Sequence, residues 1–302
     1  MNRLFEILRR KVLKLANPHF YTKRSVMLLL LQQFFRFILF LRTDKPPKVA
    51  IQEMAKLANK GKGKTALVLG NGPSLNRLIP KQAIQFFDDI FVVNGFHNLR
   101  ISEEISPSFY CLSDPLDALE IDDEGSKEGN NLREYFKQNI DCVCLLPYSW
   151  ISTAENLPNK SLYFDDRERT FFSRNISPLK PRAYSSVTLY KALAVACFMG
   201  YKKIYILGFD NTEFHNYIGR LDNESAFEHK TYATLKNERE YYSGNLTLPF
   251  VSGLAGRMQS YAHLFGDLFM FSKYPIINLD PHSLTDAFPK IATHPAIAIN
   301  VL

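Results

Sequence analysis

The run TALVLGNGPSL, residues 65–75, decides the fold. Five residues of mostly apolar character end in Gly70-Asn71-Gly72-Pro73-Ser74, and an apolar segment follows. A short apolar run bounded by turn signals reads as a strand buried in a parallel sheet. Gly-x-Gly makes a tight turn, and a proline suits the first turn of a helix. Strand, glycine turn and helix N-terminus together form a unit that binds phosphate or another anion through backbone N–H groups. A plain βα turn is the competing reading of the same residues. The third glycine of the dinucleotide fingerprint is absent, so NAD and FAD are not supported. Gly63-Lys64-Thr65 looks like the end of a P-loop. Its first glycine would be Ala58, however, and it precedes the strand where a P-loop follows one.

Outward from this unit the pattern repeats. Residues 90–93 read as a strand ending at Asn94, and 109–112 as one ending at Ser113-Asp114-Pro115. Residues 142–146 end at Pro147, 202–207 at Gly208-Phe209-Asp210, and 276–279 at Asp280-Pro281-His282-Ser283. Residues 48–59 and 186–199 read as helices, the second capped by Gly200. The alternation predicts an α/β fold with a Rossmann-like (GT-A-like), mostly parallel sheet flanked by helices. Polar residues sit at the carboxyl ends of its strands, where open α/β sheets bind ligands.

The charge is divided unevenly. Residues 1–48 carry eleven Lys and Arg against Glu6 and Asp44, a net of +9, which leaves the other 254 residues at −2. A nucleic-acid-binding domain carries its basic stripe on the fold itself, so nucleic acid is not the expected partner. Leu4, Phe5, Leu8, Val12 and Leu13 alternate at helical spacing with Arg3, Arg9, Arg10, Lys11 and Lys14, as in an amphipathic helix lying in an anionic membrane surface. The apolar run at 26–41 is interrupted by Gln32, Gln33 and Arg36, too polar and short for a spanning helix, and no small-residue cleavage site follows it. The division expected is 1–48 as a membrane-associating arm and linker, and 49–302 as the α/β domain with a lid-like segment around 211–256. A helix pair packed on the body is the alternative for the arm. Cys111, Cys142, Cys144 and Cys197 are too few for a disulfide scaffold and have no zinc spacing. No metal and no cofactor are expected.

Gly-Asn-Gly-Pro-Ser-Leu after the first strand, Val-Val-Asn-Gly-Phe at 92–96, and Arg-Ala-Tyr-Ser-Ser-Val at 182–187 followed by Gly-Tyr-Lys-Lys-Ile-Tyr-Ile-Leu-Gly-Phe-Asp at 200–210 resemble the bacterial sialyltransferases of glycosyltransferase family 42. They are also similar to the MptE-like proteins of surface-polysaccharide loci. The similarity runs from about residue 65 to 289, with a poorly matched middle at 120–180. It implies a glycosyltransferase that takes a CMP-linked sugar, such as sialic acid or a related sugar acid, and passes it to a glycan or lipid-linked acceptor in surface polysaccharide or lipopolysaccharide synthesis. The enzyme would work at the cytoplasmic face of the bacterial inner membrane as a peripheral or cytoplasmic protein, with homo-oligomers left open. The implied donor site comprises Gly70, Asn71, Gly72, Pro73, Ser74, Asn94, Asp114, Arg182, Ser185, Ser186 and Gly208. Asp114-Pro115 stands where the family has Asn-Pro. The family's catalytic His has no counterpart at 250–256, and a segment like that of the MptE-like proteins at 221–232 points instead to His229.

A glycosyl transfer needs a base for the acceptor hydroxyl, and a neutral imidazole suits that role near pH 7. His229 is the first choice, His215 the second and Asp210 a third. No Asp-x-Asp pair occurs, in line with a donor carrying one phosphate. Two competing functions stand beside this one. A diphosphate-transferring enzyme would need clustered carboxylates, for which Asp114, Asp117 and Asp210 are the set available. The other is a non-catalytic partner protein that keeps the nucleotide fold.

Overall fold

The computed structural model describes residues 43–168 except 73 and 76–80, residues 175–210, residues 266–291 except 284, and Phe34, Ile38, Phe40 and Leu41. Seven strands form one sheet: β1 Thr65–Leu69, β2 Asp89–Val93, β3 Phe109–Cys111, β4 Val143–Pro147, β5 Ser161–Phe164, β6 Lys203–Leu207 and β7 Ile276–Asn278. Their order is β5-β4-β3-β2-β1-β6-β7, and every neighbouring pair is parallel. The expected α/β Rossmann-like fold is thus the observed one, and the sheet is parallel throughout. The chain steps outward from β1 to β5, then returns to the other side of β1 for β6 and β7. The order therefore reverses between β1 and β6, the switch point at which such sheets open a crevice.

Alternation along the strands explains the two cores. Ala66 and Val68 of β1, with Phe91, Val93, Phe109, Cys111, Ile204 and Ile206, face one side. There they bury against α4, Thr188–Met199. Leu67 and Leu69, with Val92, Tyr110, Cys144 and Leu207, face the other. They meet Leu132, Tyr135 and Phe136 of α3, Lys127–Gln138. A strand covered on both faces is apolar at every position, and this is why β1 reads as a continuous run. Ten of the twelve residues of α4 are buried, so it is apolar all round. It ends at Gly200, whose φ of 72° lies in the left-handed region. Two shorter helices complete the set: α1, Lys48–Ala55, against β5, and α2, Pro115–Asp122, against α3.

β5, α2 and α3 lie in or beside the middle stretch that the sequence reading left undivided. Strand β5 has four residues of alternating burial, too brief to stand out as an apolar run. Helix α3 is strongly amphipathic and opens on Ser126, whose hydroxyl accepts from the Gly129 N–H.

The carboxyl ends of β1 and β6 touch backbone to backbone. Gly208 has φ of 74°, and a Cβ built on it would overlap the carbonyl oxygen of Gly70. The converse holds for Gly70 against the Gly208 carbonyl. Gly208→Ala combines a left-handed backbone with a forced separation of two strands. It should destabilise the fold by at least about 2 kcal/mol, read as a lower midpoint in urea unfolding with an unchanged slope.

Candidate functional site

The first segment past β1 is locked to the segment past β6. The Gly72 N–H donates to the Gly208 carbonyl at 3.1 Å. Asp210 is 5% exposed. Its carboxylate accepts from the Ser74 N–H at 3.1 and 3.2 Å and from the Ser74 hydroxyl at 2.7 Å. The Gly70 and Leu75 amides are bonded to the carbonyls of Leu207 and Gly72. These four amides of the turn are therefore already satisfied within the protein, and an internal carboxylate occupies the place expected for a bound phosphate. The phosphate cradle read from the sequence changes character. Asp210, a candidate base, holds the turn together through Ser74.

With those four donors engaged, the turn's side chain at Asn71 adds an acceptor. Asn71 Nδ2 donates to the Val93 carbonyl at 3.0 Å, at the end of β2. That bond fixes which end of the amide is nitrogen and leaves Asn71 Oδ1 buried with no hydrogen-bond partner. Next to Val93 stands Asn94, with φ of 42°. Left-handed backbone away from glycine is uncommon and is tolerated best by Asn and Asp. The Tyr110 hydroxyl donates to the Asn94 carbonyl and accepts from the His97 N–H at 3.1 Å. Asn94 Oδ1 is likewise buried without a partner. Two unpartnered amide oxygens thus lie on adjacent strand ends.

Further polar groups gather along the same edge. His97 Nδ1 lies 3.1 Å from the Tyr110 oxygen. Since that hydroxyl gives its proton to Asn94, Nδ1 carries the hydrogen, and Nε2 is left as a buried, unpartnered lone pair. Burial lowers the His97 pKa, against opposing pulls from Glu128 and the Asn94 backbone. Asp117 Oδ2 and Asn278 Nδ2 also lack partners. Among the described residues seven buried side-chain atoms are unpartnered, and five of them belong to residues at or beyond the carboxyl ends of strands. Native interiors leave few such groups unmet, so their gathering on one edge marks the site.

The other residues named from the sequence are engaged elsewhere. Asp114 caps α2, accepting from the Leu116 N–H at 3.1 Å. This explains an aspartate at that position without a ligand. Arg182 is 7% exposed and donates from Nε to Asp166 Oδ1 at 3.0 Å. Lys191, 1% exposed, joins it with bonds to Asp166 Oδ2 at 3.0 Å and Ser113 Oγ at 2.9 Å. Burial lowers the Lys191 pKa and Asp166 opposes it. The cluster ties α4 to the ends of β3 and β5. The Ser185 N–H donates to Asp267 Oδ2 at 2.8 Å, with the hydroxyl on the same oxygen. Ser186 is exposed. Gly72 and Gly208 permit the close approach of the two segments. Pro73, His215 and His229 lie outside the described residues. Asp114, Asp117 and Asp210 are not brought together: no group of three His, Cys, Asp or Glu among the described residues is placed to hold a metal ion.

No protein-family model matches this chain, and no curated protein does. Among solved structures it is similar to the sialyltransferase CstII from Campylobacter jejuni, determined in complex with cytidine-5'-monophosphate, a substrate analogue. The identity is 17% and the TM-score 0.38, over 76% of this chain and 85% of the other.

Tyr110 and His97 were not singled out as site residues from sequence, and Asp117 was named there only in the carboxylate set of the diphosphate-transferring alternative. Tyr110 sits inside an apolar strand and carries no local signal. Asp117 had one, since Asp114-Pro-Leu-Asp117 has the spacing of a capping box. Its carboxyl is pushed up to about 7 by burial first, then by Asp114 and Glu120, while the Asp114 N–H opposes. A folded-state pKa above the unfolded value means that the folded protein binds the extra proton. This contribution to stability is present below about pH 4 and is lost as pH rises to about 7. Asp117→Asn should flatten the dependence of melting temperature on pH over that window and melt above wild type at pH 8. Parallel melting curves of the two proteins from pH 4 to 8 would discount the raised carboxyl.

Proposed function

We propose that this protein is a glycosyltransferase that binds a nucleotide-sugar, CMP-linked, in the crevice between the carboxyl ends of β1, β2 and β6. The donor sugar is a sialic acid or a related sugar acid. The acceptor is a glycan or lipid-linked glycan of bacterial surface polysaccharide, met at the cytoplasmic face of the inner membrane. The observation that carries this reading is the pair of unpartnered acceptors, Asn71 Oδ1 and Asn94 Oδ1, at the switch point of the sheet. Acceptors call for a ligand rich in O–H and N–H donors, and ribose hydroxyls, sugar hydroxyls and an exocyclic amine provide them. The Gly70, Gly72, Ser74 and Leu75 amides are engaged internally, so the phosphate draws most of its donors from beyond the turn.

In the transfer the acceptor oxygen attacks the anomeric carbon. The bond from that carbon to the phosphate oxygen breaks, CMP leaves with the electron pair, and the acceptor proton passes to a base. His229 is assigned that role, with His215 next. Asp210 is bonded to Ser74 through both oxygens, which ranks it last.

Calorimetric titration of CMP, UDP, GDP and ATP tests the donor. CMP should bind tightest, and Asn71→Ala and Asn94→Ala should each weaken it about tenfold, as for loss of one buried hydrogen bond. Equal binding by both variants, or no nucleotide binding by wild type, would sink the site assignment. His229→Ala should lower turnover about 10²–10⁴-fold with donor affinity near normal. Retained turnover would place the base elsewhere.

A further inference from the structure

The N-terminal arm ends on the same edge of the sheet as the candidate site. Arg167 follows β5 and is held by Asp165, Nε to Oδ1 at 2.9 Å and Nη2 to Oδ2 at 2.8 Å. Its guanidinium carbon lies 5.3 Å from the Phe40 ring centre and 6.0 Å from that of Tyr148. Tyr148 follows β4, and its hydroxyl donates to the Asp44 carbonyl at 2.5 Å. The end of the arm is thus clamped at the carboxyl ends of β4 and β5. Beyond Asp44 come Lys45, Pro46 and Pro47, and then α1, which packs on β5. Two prolines fix their φ angles, and both flanks of the pair are attached to the body. The joint therefore transmits an orientation, as a free linker does not. Phe34 and Leu41, helical residues leading into the clamp, are 53% and 65% exposed. No helix among the described residues is long and apolar enough to cross a membrane.

We infer that the carboxyl edge of the sheet is the surface this protein turns toward an anionic bilayer, with the Arg167–Phe40–Tyr148 clamp setting that orientation. The +9 of residues 1–48 supplies the charge complementarity to such a surface. The candidate site then opens at the bilayer face, where a lipid-linked acceptor presents its glycan. The inference rests on the arm binding lipid and is independent of the donor nucleotide.

All four cysteines are buried, so an introduced surface cysteine takes a label selectively. Ser149 and Asp141 are exposed and lie beyond the carboxyl and amino ends of β4, whose five residues alone span about 13 Å. The full-length Ser149→Cys and Asp141→Cys proteins would each carry a fluorophore and be mixed with phosphatidylglycerol-containing vesicles bearing a headgroup nitroxide. At low salt the Ser149 label should be quenched several-fold more than the Asp141 label. Arg167→Ala should shrink that difference while the amount sedimenting with vesicles stays the same. Equal quenching at the two ends, or stronger quenching at Asp141, would overturn the orientation alone. No sedimentation at low salt would overturn the membrane-binding arm and the orientation with it. Neither result touches the nucleotide reading, which calorimetry decides.

Discussion

The structure depends on one close backbone contact, between Gly70 at the end of β1 and Gly208 at the end of β6. Neither position has room for a Cβ, and Gly208 needs a left-handed backbone as well. The contact lies where the strand order reverses. With side chains at either residue the two segments would be forced apart. The Gly72 amide would then lose the Gly208 carbonyl, and Ser74 would lose Asp210, a partner 136 residues away. Hydrogen bonds to a buried carboxylate are among the stronger ones in a protein, at about 1.5–3 kcal/mol each. The lock thus joins the first βα unit of the chain to the last third of the fold.

The same lock decides what the site reads. A glycine turn before a helix is an anion site only while its amides are free. Here Asp210 takes the Ser74 amide as an anion would, and Asn71 and Asn94 keep buried amide oxygens without partners. Asn71 is aimed by the Val93 carbonyl, and Asn94 is held in its unusual backbone by Tyr110, which His97 supports in turn. Each acceptor is held by a neighbouring strand, so the site is organised before any ligand arrives.

A parallel sheet delivers all its strand ends to one side, and this chain uses that side throughout. Asn71, Asn94 and Asp210 line the switch point. Ser113, Asp166, Arg182 and Lys191 form a buried polar cluster behind it, which fixes the start of α4 against the ends of β3 and β5. Tyr148 and Arg167 hold the arm at the far strands. Arg182 and Lys191 share the Asp166 carboxylate, and Arg182 also faces Glu168 at 3.8 Å and donates to the Tyr184 carbonyl, so these bonds make the two cations anchors of the scaffold more than ligands.

By itself the sequence determined the strands β1, β2, β3, β4, β6 and β7 and the helix α4. Each is a short apolar run ended by a turn signal or an all-round apolar helix ended by glycine, and both are properties of neighbouring residues. It also located the edge at which polar residues collect, because strand ends are local features. It left β5, α2 and α3 unread. A four-residue edge strand and a polar, amphipathic helix owe their form to the surface they cover. The tertiary structure alone decided which polar groups remain available. Asn71 and Asn94 keep an acceptor, while Ser74, Arg182 and Ser185 are bonded to Asp210, Asp166 and Asp267. Two of those three partners stand more than eighty residues away in the chain. Hydrogen bonding depends on distance in space, and no spacing along the sequence carries that distance.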